Sequence, residues 1–178
     1  MGIVKNIVGA VITVAIGGTV YTVSQTDIVD NFAKDTGLSQ QESKEYVEKT
    51  KDSLVSWDKV GDALIADATS AYADISTIDC VNYTYDWVTP LLTCEQGKAQ
   101  INKMANDEMK LGNAYKKLSN DSSTKEDIPP VIVLIDVMNK DYELSLVTKM
   151  MGADFISESK RTNSYNKATL QAVLNSDS

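Results

Sequence analysis

The sequence contains no histidine and only one arginine, Arg161. Without histidine, the chain has no Ser-His-Asp or Cys-His machinery and lacks the usual ligand of zinc, copper and non-haem iron sites. With one arginine, it also lacks the set of bidentate clamps that commonly hold phosphate or carboxylate groups. These absences predict a protein that is not an enzyme and that needs no metal or other cofactor.

Basic residues are scarce as a group. The 178 residues include 17 Lys and Arg against 25 Asp and Glu, a net charge of −8. Such a surface repels phosphate, so nucleic acid is not an expected partner. Hydrophobic residues make up 43% of the chain, which is enough for one core, and only three prolines and nine glycines interrupt it. The composition favours long helices and an all-α fold.

Residues 7–23 form an uncharged, mostly apolar run. As a helix this run would be about 26 Å long, close to the thickness of the hydrocarbon layer of a membrane. Lys5 precedes it, and no acidic residue occurs before Asp27. We therefore expect a membrane-anchoring helix in residues 1–24. A cleaved signal peptide and a buried core helix are the alternatives.

The charge asymmetry around this run predicts a single-pass topology. Cytoplasmic flanks of membrane helices are enriched in positive charge. The N-terminus is then cytoplasmic, and residues 25–178 form an extracytoplasmic helical domain. Gly9, Thr13 and Gly17 recur every four residues, which predicts a small-residue stripe that packs against another helix within membrane lipid. The alternative is that glycine and threonine are simply common in membrane helices.

Two long seams of apolar or small residues indicate helices that pack against each other. The first helix is expected over residues 39–78, where Ser39 and Glu42 form a capping box. The second is expected over residues 90–118, and Glu108 is the one charged residue in its seam. Because about ten residues join them, the two helices should form an antiparallel hairpin. The seam positions alternate by three and four: Val47, Thr50, Leu54, Trp57, Gly61, Leu64, Ala68, Ala71, Ile75 and Ile78, then Cys94, Gly97, Ile101, Met104, Glu108, Leu111, Tyr115 and Leu118.

The remaining sequence predicts further helices. A short helix is expected over residues 27–34. Residues 131–138 read as either a buried helix or a strand, and we favour a helix that continues to about Met151 and ends at Gly152. A last amphipathic helix is expected over residues 155–174. The whole is a helical hairpin completed by further helices.

Cys80 and Cys94 are the only cysteines, and they flank the turn of the predicted hairpin. A disulfide between them would close a loop of about 15 residues and contribute roughly 3 kcal/mol. Such bonds persist outside the cytoplasm, in agreement with the predicted topology. Two reduced, buried thiols are the alternative.

The loop between the cysteines carries Tyr83, Tyr85 and Trp87. Aromatic side chains in a pinned loop predict an interaction surface, with folding back over the hairpin as the alternative. Asn82 and Asn120 stand in Asn-x-Ser/Thr sequons and are candidate glycosylation sites. Two sequons are no more than chance gives for this content of Asn, Ser and Thr.

These features predict a non-catalytic, membrane-anchored structural or assembly subunit. Its membrane helix and its extracytoplasmic helices would pack in a homo-oligomeric envelope, filament or virion-type assembly. The alternative is an accessory subunit of a multi-chain membrane enzyme or transporter. The expected partners are membrane lipid and either other copies of the chain or the subunits of such a complex.

Overall fold

The computed structural model describes residues 10–51, 56–88 and 92–176. Helices make up 72% of the described residues, so the predicted helical fold is confirmed in its main part. The described elements, in chain order, are β1 (Val11–Ile16), β2 (Thr19–Ser24), α1 (Gln25–Thr36), α2 (Gln40–Thr50), α3 (Trp57–Thr77), α4 (Cys94–Leu118), a 3-10 turn (Lys125–Asp127), α5 (Ile128–Asp141), α6 (Ser145–Met151) and α7 (Ala153–Asn175).

The N-terminal apolar run is a β-hairpin, which corrects the predicted membrane helix. Strands β1 and β2 pair antiparallel, with Val14 opposite Tyr21. Gly17 and Gly18 form the two-residue loop, and Gly17 has the positive φ of 58° that tight hairpin turns need. β-branched residues dominate both strands, and such residues favour extended backbone over helix. No helix among the described residues is long and apolar enough to cross a membrane.

The hairpin is packed onto the helices. Ile16 and Val23 on its inner face are buried. The Gly17 N–H donates a hydrogen bond of 2.7 Å to the carbonyl of Leu118, and the Trp57 indole donates one of 2.9 Å to the carbonyl of Ala15. The predicted small-residue stripe is therefore wrong at the positions that can be checked. Thr13 lies on β1 and Gly17 in the turn, whereas Gly9 lies outside the described residues.

The core lies where α1, α4, α5 and α7 meet. Helix α7 packs on α1 and α5, and α4 packs on α5. The largest side chains of this core are completely buried and come from all four helices: Phe32, Leu111, Tyr115, Leu118, Ile135 and Leu170. Helix α2 packs on α1, and its N-terminal capping box between Ser39 and Glu42 is present as predicted.

Helices α3 and α4 form the predicted antiparallel hairpin. Their closest approach is at two glycines, because a Cβ atom on Gly61 would lie 2.5 Å from the carbonyl oxygen of Gly112. The first predicted helix is observed as two separate helices, because α2 ends at Thr50 and α3 begins at Trp57. The predicted seam position Leu54 lies outside the described residues. The second begins at Cys94, while its predicted start at Pro90 also lies outside them.

Residues 128–175 form three helices. Residues 131–138 are helical, as favoured from the sequence, but the helix ends at Asp141 and a separate helix, α6, runs to Met151. Gly152 ends α6 with a φ of 83°, as predicted for a helix stop. Helix α7 matches the last predicted amphipathic helix and is extended at both ends.

Candidate functional site: an acidic groove beside α3

Helix α3 packs mainly on α4, and this leaves an open groove along one side of it. Two adjoining cavities of about 510 and 530 Å³ share Asp67, Ala71, Met104 and Met151, so they form one continuous groove. We call it the acidic groove. Helix α3 is one wall, Met104 and Glu108 on α4 form the floor, and α6 with the start of α7 is the opposite wall. It extends along α3 from Val60 to Thr77, about 26 Å of helix.

The groove has an apolar lining that is partly open to solvent. Met150 is 59% exposed and Phe155 is 54% exposed, although both side chains are large and hydrophobic. Three of the six methionines line the groove, and methionine is common on surfaces that adapt to a bound helix. The apolar lining comprises Val60, Ala63, Leu64, Ala71, Ile78, Ile101, Met104, Val147, Met150, Met151 and Phe155.

The charged residues that line the groove are all acidic. They are Asp67 and Asp74 on α3, Glu108 on α4, and Glu158 on α7. No lysine or arginine is among the described residues that line it. The groove thus combines an apolar surface with a negative potential, because nothing within it neutralises these carboxylates.

Glu108 is the most unusual member of this group. It is only 6% exposed, yet among the described residues it has no ion pair and accepts no hydrogen bond. Burial raises the pKa of Glu108 to about 7, and the nearby Asp67 carboxylate raises it further. The side chain is largely buried, but its carboxyl oxygens keep contact with solvent through the open groove, so the carboxylate is accessible to a ligand.

A second buried carboxylate, Asp141, does have a partner. Lys103 reaches it at 2.5 Å and also binds Asp107 at 2.7 Å, so the ammonium joins α4 to the end of α5. Burial raises the pKa of Asp141 to about 6; neighbouring Asp107 adds to the rise and Lys103 opposes it. This cluster is explained as an interhelical link, and Glu108 has no such explanation within the chain.

A second groove, between α1, α5 and α7, has a different character. It measures about 770 Å³ and is lined by Lys140, Lys160 and Arg161 together with Asp35 and Asp136. Its charges are largely paired, since Lys167 binds both Asp35 and Asp136, and Lys160 binds Glu143. Because it carries charges of both signs, it lacks the uniformly negative lining of the acidic groove.

The predicted disulfide between Cys80 and Cys94 is present, with α-carbons 5.6 Å apart. It ties the region after α3 to the first residue of α4. The aromatic loop that it closes divides into two parts. Tyr85 stacks on Trp87 with 4.5 Å between ring centroids, and both side chains line one end of the acidic groove. Tyr83 points outward and is 68% exposed.

The structure therefore places the three predicted loop aromatics in two environments. Tyr85 and Trp87 fold back onto the hairpin end, which was the alternative reading, while Tyr83 remains a candidate for direct contact. The indole nitrogen of Trp87 is buried and finds no acceptor in the described part of the chain. Gly97 makes room for that ring, because a Cβ atom there would lie 2.4 Å from the indole nitrogen.

The two candidate glycosylation sites lie in exposed turns. Asn82 follows α3, and its side-chain amide donates a 2.7 Å hydrogen bond to Asp79. Asn120 follows α4 beside the Gly17 turn. Both positions are accessible, and their glycosylation stays a prediction.

Part of the groove is indicated by the sequence. The seam pattern identifies Glu108 as the one charged position in the second predicted helix, but it does not predict that Glu108 lines a groove. The apolar positions Leu64, Ala71 and Met104 were assigned to packing within the hairpin, and all three line the groove. Within residues 10–51, 56–88 and 92–176, no group of three or more His, Cys, Asp or Glu side chains is placed to hold a metal ion.

Comparisons of the chain with protein-family models, curated proteins and solved structures give no match. The functional reasoning consequently depends on the geometry and charge of the acidic groove.

Proposed function

We propose that the protein is a non-catalytic assembly subunit whose acidic groove binds a basic amphipathic helix of another chain. The observation that carries this proposal is the open, apolar groove that four carboxylates line and that no lysine or arginine of the described residues lines. Recognition of this kind places the apolar face of a helix in a hydrophobic groove. Lysines along the border of that face would then meet the acidic rim.

The dimensions of the groove fit such an occupant. A length of about 26 Å corresponds to roughly 17 residues of α-helix, or nearly five turns. Its walls come from α3 on one side and from α6 and α7 on the other, so a docked helix would fill the place of a missing bundle member. Exposed Met150 and Phe155 would lose water on docking, which favours binding.

The net charge of the protein favours a different chain, rather than a second copy of this one, as the occupant of the groove. The protein carries a net charge of −8, so a second copy would bring more negative charge to an acidic groove. This supports the accessory-subunit alternative over homo-oligomeric packing. Self-association is one outcome of the test, measured by analytical ultracentrifugation of the protein alone.

The disulfide supports an extracytoplasmic location, because such bonds persist in oxidising compartments. Membrane association stays a prediction, although the apolar run that suggested it forms the β1–β2 hairpin within the described residues. It predicts that the protein remains with membrane lipid after a carbonate wash, whereas release by that wash would contradict it.

Binding is tested with a designed 18-residue helix that has a leucine stripe and lysine at the other positions. The control peptide keeps the same stripe and carries glutamate in place of lysine. We expect the basic peptide to bind and the acidic one to bind at least about tenfold more weakly, as measured by fluorescence anisotropy. Equal binding of the two peptides, or no binding of either, would contradict the proposal.

A matched pair of variants locates the binding site on α3. Ala71 lies in the middle of the groove, and Ala73 is exposed on the same helix outside it. Ala71→Leu adds bulk inside the groove and should weaken the basic peptide by about tenfold. Ala73→Leu makes the same change outside and should leave the affinity unchanged. Equal effects of the two substitutions would place binding elsewhere.

A further inference from the structure

We infer that Glu108 is the receptor for one specific group on the docked helix, the ammonium of a lysine side chain that enters the groove. This inference rests on the proposed function and names the contact that would give it specificity. Glu108 is 6% exposed and unpartnered among the described residues, and it lies in the groove floor near Asp67, which lines both cavities. It therefore stands near the middle of the groove, where the strongest contacts of an interface tend to cluster.

The surroundings of Glu108 suit a lysine. Leu64 on α3 and Met104 on α4 line the same part of the groove and present apolar surface to an alkyl stem. Lysine packs such a stem against apolar surface and carries a compact charge at its end.

Within the described part of the chain, no group that faces Glu108 from the neighbouring elements supplies a positive charge. Asp67 faces it from α3, Tyr142 from the segment between α5 and α6, and Glu158 lines the same cavity from α7. The raised pKa of Glu108, about 7, follows from burial and from Asp67. An ammonium group at Glu108 would stabilise the carboxylate and lower this pKa again, so binding should release a proton and strengthen as pH rises through 7.

The test uses peptides based on the 18-residue basic helix. In each peptide, one leucine of the stripe is replaced by either lysine or norleucine, whose side chain has the same four carbons without the amine. A series of such peptide pairs places this replacement at each position of the stripe in turn. Affinities are measured for the full chain, for Glu108→Gln, for Asp67→Asn, and for Glu126→Gln. Glu126 is an exposed glutamate outside the groove and serves as the matched control. Circular dichroism checks that each variant is folded.

At one stripe position we expect lysine to bind at least about tenfold more tightly than norleucine at pH 8. The preference should disappear in Glu108→Gln, decrease in Asp67→Asn, persist in Glu126→Gln, and shrink at pH 5.5. Norleucine binding at least as tight as lysine at every position, or a lysine preference that survives Glu108→Gln, would overturn the inference while leaving helix binding intact. Failure of every peptide to bind would overturn the proposed function as well.

Discussion

Glu108 occupies a position that packing alone would fill with an apolar side chain. Its neighbours in the α4 seam, Leu111 and Tyr115, are completely buried, and the ring of Tyr115 stacks on Trp57 at 5.5 Å. A carboxyl group in that row lowers stability whenever it is ionised, because its folded-state pKa of about 7 exceeds the ordinary value of 4.5. Residues that cost stability without a structural partner are typical of functional sites.

Glu108→Gln should stabilise the protein at alkaline pH. Since the pKa of Glu108 is raised, its contribution to stability is complete below pH 4.5 and is lost as pH rises to about 7. The neutral amide removes this loss, which solvent screening in the open groove keeps below the roughly 3.4 kcal/mol that the full pKa shift corresponds to. Thermal unfolding should show a melting temperature several degrees above that of the unmodified protein at pH 8, and little difference at pH 4.5.

The control for this experiment is Glu126→Gln, which should leave the melting temperature unchanged at both pH values. Part of the pH dependence will remain in Glu108→Gln, because Asp141 also has a raised pKa, about 6. A Glu108→Gln variant that is less stable at pH 8 would mean that the carboxylate has a structural partner.

At the scale of elements, the β-hairpin takes the place of the predicted membrane helix among the described residues. Its turn fits only glycine at position 17, where φ is 58° and a Cβ atom would lie 2.5 Å from the carbonyl oxygen of Ser123. Gly17→Ala should therefore destabilise the protein by roughly 1–3 kcal/mol in chemical denaturation.

Gly18→Ala is the matched control. A Cβ atom at Gly18 would meet only the carbonyl oxygen of Asp121, at 3.7 Å, and its φ is not positive. This substitution should cost much less than Gly17→Ala. In a helix the two substitutions would have similar effects and both would favour the helix, so equal tolerance would contradict the hairpin.

The disulfide should stabilise the end of the α3–α4 hairpin. Reduction, or replacement of Cys94 by serine, opens the link between residues 80 and 94 and should lower stability by roughly 2–4 kcal/mol with little loss of helix. Mass spectrometry of non-reduced protein should detect one linked peptide pair. Free, alkylatable thiols in freshly isolated protein would argue against an oxidising compartment.

Elements with strong local signals could be predicted from the sequence. The capping box at Ser39, the stop at Gly152 and the α4 seam follow from short-range rules that hold in the structure. The hairpin was missed because length and lack of charge outweighed its β-branched residues and the Gly17-Gly18 pair. Those two features are the signal that predicts a two-residue hairpin.

At the scale of the whole molecule, the acidic groove could not be predicted from periodicity. A seam position predicts that a side chain faces a neighbouring element. The pattern does not indicate whether that element belongs to the same chain. Leu64 and Met104 satisfy the heptad pattern, yet they border an open groove, because α3 packs mainly on α4 and remains apart from α7. Only the three-dimensional arrangement of α3, α4, α6 and α7 reveals the unfilled space.

The methionines provide the most direct test of helix binding in this groove. Met104, Met150 and Met151 line it, whereas Met138 is buried in the core and Met109 lies outside the groove lining. In protein labelled with ¹³C at the methionine methyl groups, the basic 18-residue peptide should shift the NMR signals of the first three and leave those of Met138 and Met109 in place. Unchanged signals from the three groove methionines at saturating peptide would contradict the proposed function.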